Sequence, residues 1–298
     1  MRDTESRYAG VEAGVGLTAL LVAAARAIET HRADSLAQDA YAEHFVRAAR
    51  ATANWPLRPH EVPDGEANPL WGRLARYFGL RTRVLDDFLL RSVREGVRQA
   101  VILGAGLDSR AFRLDWPPGC ALFEIDRAEV LAFKDNVLRD LNATPGPART
   151  PVAADLRTDW AGALADAGHD PAAPTAWLAE GLLLYLPGAA ERHLIATVDR
   201  LSPRGSTLAY EAKVGTESRE VRESPIYTAT KDQTGVDLLH LFDSEPRPDS
   251  AGTLTARGWS TSTRTPFDFT HQYGRGPLPE AHDALSSNRW VFATRTTR

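Results

Sequence analysis

Two glycines and two acids, spaced as in a nucleoside-binding unit, have the clearest chemical potential in this chain. The run Val101-Ile-Leu-Gly-Ala-Gly106 is apolar up to its glycines, and Glu124 and Asp126 follow about twenty residues later. This order predicts a buried parallel strand and a tight turn that brings backbone from Gly104 onward close to a ligand. Alternation along a second strand places both acids on one side, near its end, where one carboxylate can accept from both ribose hydroxyls.

The glycine pattern also separates two classes of cofactor. A dinucleotide site has a third glycine three residues after the second, where the pyrophosphate approaches the helix, and Ser109 occupies that position here. S-adenosylmethionine carries adenosine without phosphate and does not need that glycine. The sequence therefore favours S-adenosylmethionine. A nicotinamide-dependent oxidoreductase is the alternative, and it would favour the third glycine together with a proton-donating pair such as Tyr-x-x-x-Lys.

Apolar periodicity predicts the elements that must position these side chains. Residues 17–52 and 71–96 have helical spacing and are separated by a proline-containing loop. From residue 97 short apolar runs alternate with helical stretches, which favours a parallel α/β sheet. The predicted strands cover 99–104, 120–126, about 150–155, 174–180 and 206–212, and the predicted helices lie near 108–113, 127–141, 159–167 and 188–201.

Two regions are expected to act together as one structural unit: a helical cover, residues 1–96, and an α/β core, residues 97–298. Within the core, residues 214–252 are polar and irregular apart from the apolar run Val236-Asp-Leu-Leu-His-Leu-Phe242. An insertion after the fifth strand lies at the sheet edge where open α/β folds bind ligands. We interpret it as a lid, with a plain surface excursion as the alternative.

Composition excludes several other classes. The net charge is −4 and both signs are scattered, so no nucleic-acid or membrane-surface partner is expected. Cys120 is the only cysteine, which excludes an internal disulfide framework and suits a reducing cytoplasm; at the start of an apolar strand it is expected to act as a small hydrophobe. The apolar stretch from Leu17 to Ala25 is too short to span a bilayer, so we expect a cytoplasmic protein.

Five ordered segments carry a family resemblance. They are Arg81-Thr-Arg-Val-Leu-Asp-Asp87, Gly104-Ala-Gly-Leu-Asp-Ser-Arg-Ala-Phe-Arg-Leu114, Phe123-Glu-Ile-Asp126, Ala154-Asp-Leu-Arg-Thr-Asp-Trp160 and Leu178-Ala-Glu-Gly-Leu-Leu-Leu-Tyr-Leu186. The chain resembles the leucine carboxyl methyltransferase family, and most closely its bacterial branch of small S-adenosylmethionine-dependent O-methyltransferases. The resemblance is loose after Glu211. It departs at Ala40, where many relatives have proline, which concerns a helix boundary.

The resemblance implies a class I methyltransferase fold, which is a Rossmann-like, seven-stranded, mostly parallel sheet with an antiparallel last strand. In this chain the segments 258–264 and 289–295 would form the antiparallel hairpin that closes the sheet. It implies S-adenosyl-L-methionine as cofactor and methyl transfer to a carboxylate or hydroxyl of a small metabolite, such as a polyketide. A phosphatase acceptor, as in eukaryotic relatives, and a catalytically inactive binding protein of the same fold are alternatives. No metal and no obligatory protein partner are expected.

Cations and backbone for the donor's methionine portion are also implied by the resemblance. Arg81, with Arg83 as the fallback, would hold the donor carboxylate through a bidentate guanidinium. Arg26 on the N-terminal helix would supply a second cation, unless it is a solvated helix residue. The backbone of Gly104, Ala105 and Gly106 would pass under the methionine portion.

Acids at the strand ends complete the implied donor site. Asp126 is preferred for the ribose, while Glu124 contacts the cofactor or orients a neighbouring loop. Asp155 and Leu156 would meet the adenine through a carboxylate and a backbone amide, although an acid there is also typical of a helix cap. Glu180 interrupts the apolar run 177–186, where a carboxylate is costly unless it is partnered or faces a ligand; it would hold the donor's ammonium, with a structural ion pair as the alternative.

No catalytic base is assigned. Methyl transfer to oxygen depends on aligning the nucleophile and excluding water, and a carboxylate acceptor needs no base. A hydroxyl acceptor would benefit from one, and the available candidates are His193, His240, His271 and Glu180. Since a lone histidine is more often a surface or packing residue, the choice among them stays open.

Overall fold

One seven-stranded sheet organises the chain. The computed structural model describes residues 10–215 and 218–296. The strands are β1 Gln99–Leu103, β2 Ala121–Asp126, β3 Ala148–Ala153, β4 Thr175–Ala179, β5 Thr207–Lys213, β6 Trp259–Arg264 and β7 Asn288–Arg295, in the sheet order β3-β2-β1-β4-β5-β7-β6. The pairs from β3 across to β5 are parallel, whereas β7 runs antiparallel to both β5 and β6. The predicted mostly parallel sheet with an antiparallel last strand is thus confirmed.

The α-helices of the described residues lie before, between and after these strands. They are α1 Val15–Thr30, α2 Ala42–Ala48, α3 Ala75–Arg94, α4 Arg110–Arg113, α5 Ala128–Asp140, α6 Ala161–Asp166, α7 Gly188–Arg200, α8 Arg219–Arg222, α9 Pro225–Thr234, α10 Leu238–Leu241, α11 Ser250–Ala256 and α12 Pro266–Tyr273. Short 3-10 turns cover Arg50–Thr52, Pro59–Glu61, Gly65–Ala67 and Leu183–Tyr185. Within residues 10–215 and 218–296, no helix combines the length and apolar character needed to cross a bilayer.

Both faces of the sheet are covered, which explains why the central strands are apolar without a polar alternation. Val101 and Leu103 of β1 pack with the cluster that includes residues of α6 and α7. Ala100 and Ile102, which alternate with them, pack with the cluster formed by Leu85, Phe88 and Leu89 of α3. Because successive side chains point to opposite faces, a strand covered on both sides must be apolar at every position.

The N-terminal helices form a separate apolar cluster beside the sheet. Leu20, Leu21 and Ile28 of α1 are fully buried there. A π-helical turn, Pro69–Leu74, leads directly into α3, and Asn68 caps it by accepting from the amides of Leu70 and Trp71. Leu74, at the end of this turn, lines a cavity together with Tyr77, Phe78 and Arg81 from one face of α3.

Two predicted segments differ in detail from the structure. The third strand ends at Ala153 rather than near residue 155; it is the edge strand of the sheet, where Pro151 is tolerated. The segment 214–252 contains α8, α9, α10 and the beginning of α11, so it is more regular than its polar sequence indicates. Residues 216 and 217 of that segment, and residues 1–9 of the predicted helical cover, lie outside the described residues.

Candidate functional site

A cavity of about 260 Å³ opens at the C-terminal ends of the parallel strands. Its wall comes from the segments that follow β1 to β5, from α1 and α3, and from the insertion between β5 and β6. In open α/β sheets ligands bind at this edge, where the strand order reverses, here between β1 and β4. The ionisable and other polar side chains of the cavity wall are Thr18, Arg26, Tyr77, Arg81, Asp108, Asp126, Arg127, Asp155, Arg157, Glu180, Tyr185, Glu211, Lys213, Tyr227 and Asn288.

The glycine turn after β1 forms part of the cavity wall. Gly104 and Gly106 have φ angles of 66° and 46°, in the left-handed region that favours glycine. A β-carbon on Gly104 would also lie 2.9 Å from Cδ1 of Leu182. The amide of Ala105 donates a 3.0 Å hydrogen bond to the carbonyl of Ile125, which ties the turn to β2. The turn is therefore fixed in place with its backbone toward the cavity, and its contact with a ligand stays a prediction.

Asp126 also lies in the cavity wall, at the end of β2. Its Oδ2 accepts a 2.6 Å hydrogen bond from the amide of Gly106, and its Oδ1 accepts one of 2.7 Å from the amide of Arg127. Burial raises the pKa of Asp126, and the two amide hydrogen bonds oppose that rise. Because each carboxylate oxygen has a second lone pair, the fixed carboxylate can still accept from ligand hydroxyls.

Glu124 does not line the cavity, and this geometry argues against its predicted contact with the cofactor. Its side chain is fully buried, with Oε2 lying 2.7 Å from Nζ of Lys134 and 2.7 Å from Nη2 of Arg149. Its offset of two positions from Asp126 places it roughly 7 Å further back along the strand, beneath α5. A carboxylate at that depth is tolerated because two cations neutralise it. Its role in the structure is that of an ion-pair partner.

The segment after β3 brings Asp155 and Leu156 into the cavity wall. The guanidinium of Arg157 holds the Asp155 carboxylate, with Nη2 2.5 Å from Oδ2, and the amide of Arg157 donates to Oδ1 at 2.9 Å. The Arg157 side chain lowers the pKa of Asp155. Leu156 is buried, with 6% of its surface exposed. Asp155 thus organises its own turn, and its proposed contact with adenine remains a prediction.

Glu180, directly after β4, is surrounded by three arginines. Its Oε1 lies 2.7 Å from Nη2 of Arg26 and 3.0 Å from Nε of Arg81, and its Oε2 lies 2.7 Å from Nη1 of Arg110. Burial would raise the pKa of Glu180, but Arg110, Arg26 and Arg81 together hold it well below its usual value. The ion pair given as the alternative is therefore present, and Glu180 also lines the cavity; its contact with the donor's ammonium stays a prediction.

Arg81 is the cation most central to the site. Its Nη1 donates a 2.7 Å hydrogen bond to Oε2 of Glu211, and its guanidinium lies 4.6 Å from the centre of the Phe78 ring. Burial opposes the charge of Arg81, yet Glu211 and Glu180 raise its pKa. The fallback, Arg83, is 46% exposed, pairs with Asp87 and is not part of the cavity wall. The structure thus separates two arginines that the sequence left as alternatives.

Two residues of the site were missed from the sequence. Arg110 is fully buried and contacts Asp86, Asp108 and Glu180. It lies in the segment from Gly104 to Leu114 that carries the resemblance, but nothing in the sequence distinguishes it from the other residues of that segment. Glu211 is 4% exposed and lines the cavity. The signal for Glu211 was the same as for Glu180, namely an acid at the end of an otherwise apolar strand.

These placements suit a nucleoside that carries an amino-acid end. Asp126 lies where a ribose would follow the glycine turn. Arg26 and Arg81 offer guanidinium groups to a carboxylate, and Glu180 offers a carboxylate to an ammonium. The donor set therefore fits a zwitterionic group joined to adenosine. Within the described ranges, no group of three His, Cys, Asp or Glu side chains is arranged to hold a metal ion.

The rest of the cavity wall is largely apolar. Its side chains come from α1 and the residues before it, the π-helical turn and the start of α3, the insertion after β5, and the segment before β7: Val11, Val15, Val22, Leu74, Phe78, Ile226, Leu238, Phe242 and Leu285. The insertion is fastened over the cavity by Arg247, whose Nη2 donates to the carbonyl of Leu186 at 2.9 Å and lies 2.9 Å from Oε2 of Glu191. The segment predicted to be a lid therefore contributes to the cavity wall, and its motion stays a prediction.

None of the histidine candidates for a base lies in this wall. His193, His240 and His271 are exposed, and the described part of the cavity wall contains no histidine. Tyr227 and Lys231 have the spacing of a reductase proton-donor pair, but the Lys231 side chain is 63% exposed and its Nζ lies 2.9 Å from Oδ2 of Asp237. This pair therefore does not form in the cavity, which is evidence against the nicotinamide-dependent alternative.

Comparison with known proteins gives consistent results. Residues 19–199 match the sequence profile of the family described as leucine carboxyl methyltransferase. A Streptomyces coelicolor protein named as an S-adenosyl-L-methionine-dependent methyltransferase is 66% identical over 88% of this chain and 88% of its own. A Saccharopolyspora erythraea protein with the same description is 48% identical over 84% of each chain. A solved Thermobifida fusca structure, described as a methyltransferase, shares the fold with a TM-score of 0.51 at 13% identity, covering 85% of this chain and 94% of that one.

Proposed function

The chain belongs to the leucine carboxyl methyltransferase family and is an S-adenosyl-L-methionine-dependent methyltransferase, and from that premise we propose that it methylates a carboxylate oxygen of a small apolar acid. The observation that carries this proposal is the absence of an available base in the described cavity wall. The acceptor must therefore arrive already ionised. The wall next to the donor-binding residues supports an apolar body for that acceptor.

When bound, S-adenosylmethionine supplies an electrophilic methyl group: its C–S bond breaks as a new O–C bond forms, and the electron pair stays on sulfur. The chain's own residues hold the methyl donor and orient it. Asp126 accepts from the ribose, Arg26 and Arg81 bind the donor carboxylate, and Glu180 binds the ammonium. Gly104 and Gly106 let backbone pass beneath the methionine portion.

Each acidic side chain in the described cavity wall is already engaged. Asp108 pairs with Arg110, Asp155 pairs with Arg157, and Asp126 accepts two amides. Glu180 and Glu211 are held by arginines. Burial opposes ionisation of Asp108, but Arg110, Arg26 and Lys134 together lower its pKa. Arg110, Arg26 and Arg81 do the same for Glu180. Asp108 and Glu180, which bind protons this weakly, are poor general bases near neutral pH.

Tyrosines are no better suited to accept a proton. Burial raises the pKa of Tyr185 to about 12 and the pKa of Tyr77 well above its usual value. A phenolate is therefore not available at neutral pH. A carboxylic acid with an ordinary pKa is ionised under the same conditions and needs only alignment with the donor and protection from water. This argument favours a carboxylate over an aliphatic hydroxyl as the nucleophile.

Apolar residues fix the character of the acceptor. Leu74, which ends the π-helical turn, and Phe78 of α3 line the cavity together with Ile226, Leu238 and Phe242 from the insertion. Burial of apolar ligand surface there contributes binding free energy of about 25 cal/mol per Å². A small acid with an extended apolar or aromatic body would gain from this, whereas a highly charged acceptor would lose hydration without replacement. We therefore propose small apolar carboxylic acids as the acceptor class.

The proposal is tested with purified protein, S-adenosylmethionine labelled in its methyl group, and a matched panel of acceptors. Each panel member is an apolar carboxylic acid, the corresponding primary alcohol, or the corresponding amide. We expect label in a product that mild alkali hydrolyses, since an ester is base-labile and an ether is not. The rate should be pH-independent from about pH 6 to 9 because no base titrates in that range.

Three outcomes separate the alternatives. Alkali-stable label from the alcohols alone would show a hydroxyl acceptor and overturn the carboxylate proposal. Binding of S-adenosylmethionine without transfer to any panel member would overturn the proposed acceptor class. A bell-shaped pH profile with an acidic limb near neutrality would indicate a base that the geometry does not provide.

A further inference from the structure

A chain of hydrogen bonds joins three elements behind the donor-binding arginine. Nδ2 of Asn288 donates to the hydroxyl of Tyr77 at 3.0 Å. The Tyr77 hydroxyl donates to Oε1 of Glu211, and Nη1 of Arg81 donates to Oε2 of Glu211 at 2.7 Å. Asn288 begins β7, Glu211 lies near the end of β5, and Tyr77 and Arg81 are one turn apart on α3. The Glu211 carboxylate therefore has a directed partner on each oxygen.

Burial makes this arrangement rigid. The exposed fractions are 4% for Glu211, 4% for Arg81 and 2% for Tyr77. A buried carboxylate is costly unless each oxygen is paired, so rotation of Glu211 away from either partner is opposed. The residues nonetheless line the ligand cavity. These hydrogen bonds thus form a buried polar network that holds Arg81 in position, and one side of the network lines the cavity.

Arg81 is shared between two acids. Its Nε lies 3.0 Å from Oε1 of Glu180 on the donor side, while its Nη1 is held by Glu211. The face of the guanidinium packs on Phe78, 4.6 Å from the ring centre. The hydrogen bond from Nη1, the charge of Glu180 beside Nε and the packing of one face on Phe78 together define the plane of the group. Among residues 10–215 and 218–296, its third nitrogen, Nη2, has no hydrogen-bond partner, which leaves it for a ligand.

We propose that Glu211 is a positioning residue for the methyl donor: by competing with Glu180 for Arg81, it aims Nη2 at the donor carboxylate and leaves Glu180 accessible to the donor ammonium. Without the charge of Glu211, Arg81 would pair more closely with Glu180 and close the space between them. Tyr77 orients the carboxylate and so acts through it. This inference rests on the proposed function only in taking S-adenosylmethionine as the ligand.

Two ligands test this inference by calorimetric titration. S-adenosylhomocysteine has the adenosine and the amino-acid end, whereas 5′-methylthioadenosine has the adenosine alone. For Glu211→Gln, which keeps shape and an acceptor oxygen but removes the charge, we expect S-adenosylhomocysteine to bind about tenfold more weakly, the order of one charge-assisted contact. Binding of 5′-methylthioadenosine should be unchanged. A purely structural role would weaken both ligands equally.

Two further variants keep the test decisive if Glu211→Gln folds poorly. Tyr77→Phe removes the hydroxyl that orients Glu211 and leaves the charge, so it should weaken S-adenosylhomocysteine about threefold, a modest fraction of one hydrogen bond, with 5′-methylthioadenosine again unaffected. Glu124→Gln is the matched control, since it also removes a buried ion-paired carboxylate but one outside the cavity wall. It should lower stability and leave the ratio of the two affinities unchanged.

The results distinguish this inference from the proposed function. Unchanged S-adenosylhomocysteine affinity in both Glu211→Gln and Tyr77→Phe, or an equal loss for both ligands, overturns the positioning role. Failure of the wild-type protein to prefer S-adenosylhomocysteine over 5′-methylthioadenosine overturns the assigned donor orientation as well. Neither result depends on the acceptor. The carboxylate proposal fails separately, through the product analysis described above.

Discussion

The main-chain amide of Gly106 donates a 2.6 Å hydrogen bond to Oδ2 of Asp126, which joins the turn after β1 to the end of β2. The bond means that one carboxylate both shapes the glycine turn and lies in the cavity wall. A positive φ at Gly106 points its amide at the acid, a conformation that a side chain would disfavour. The two halves of the nucleoside site are therefore assembled before a ligand arrives, which reduces the ordering cost of binding.

Asp126→Asn should weaken ligand binding and lower stability. An amide side chain loses the charge and one acceptor position for the ribose, so S-adenosylhomocysteine and 5′-methylthioadenosine should both bind about tenfold more weakly, because both carry the ribose. The side-chain NH2 of the variant must face one of the two main-chain amides that donate to Asp126, so the free energy of unfolding should also fall, by about 1 to 3 kcal/mol. Calorimetry and urea unfolding measure the two quantities. A large stability loss with equal ligand affinities would show that Asp126 is structural only.

Arg81→Ala should weaken binding only of the ligand that carries the amino-acid end. Loss of the guanidinium removes a charge-assisted contact worth about 1.5 to 3 kcal/mol, so S-adenosylhomocysteine should bind roughly 10 to 150 times more weakly. Arg81→Lys keeps a charge without the planar fork and should lie between the wild type and Arg81→Ala. Binding of 5′-methylthioadenosine serves as the internal control and should persist. Equal S-adenosylhomocysteine affinity in Arg81→Ala would remove Arg81 from the donor site.

Much of this fold follows from local sequence patterns. The apolar run ending at Gly104 could only be a strand buried on both faces, and its alternation with helical stretches required a parallel sheet. The resemblance supplied the antiparallel last strand. The cavity-wall positions of Gly104, Asp126 and Glu180 also followed from the rule that parallel strands end at one edge. These features depend on neighbours in sequence and on one general property of α/β sheets.

The partners of the charged residues could not be predicted in the same way. Glu124 and Asp126 differ by two positions, yet only Glu124 forms ion pairs with Lys134 and Arg149. These two cations lie on different elements. Glu211 meets Arg81 across 130 residues of chain. The Glu211–Arg81 pair depends on the rotation of α3 about its axis. Side-chain spacing along one segment contains no information about that rotation.

Glu124→Gln tests directly whether Glu124 contacts the cofactor or is only an ion-pair partner. Removing one charge of a buried ion pair leaves Lys134 and Arg149 without a full counter-charge, which costs about 3 kcal/mol. We expect the urea midpoint to fall accordingly at constant slope, while the affinities for S-adenosylhomocysteine and 5′-methylthioadenosine stay equal to those of the wild type. Weaker ligand binding at unchanged stability would restore Glu124 to the cofactor site.

The stability of the protein should fall in acid partly through Glu180. Burial opposes ionisation of this carboxyl, but Arg110, Arg26 and Arg81 hold its folded-state pKa well below the ordinary value of 4.5. Between those two pKa values the unfolded chain binds a proton that the folded chain does not, so acid favours unfolding; the contribution is fully present above about pH 4.5 and is lost as the pH falls through the folded pKa. Urea unfolding of the wild type and of Glu180→Gln from pH 7 to pH 3.5 measures it. We expect the variant to be less stable at pH 7 and the difference between the two proteins to shrink toward pH 3.5. A difference that is constant over this range would show that the three arginines do not depress the pKa of Glu180, and the electrostatic account of the donor's ammonium site would then be wrong.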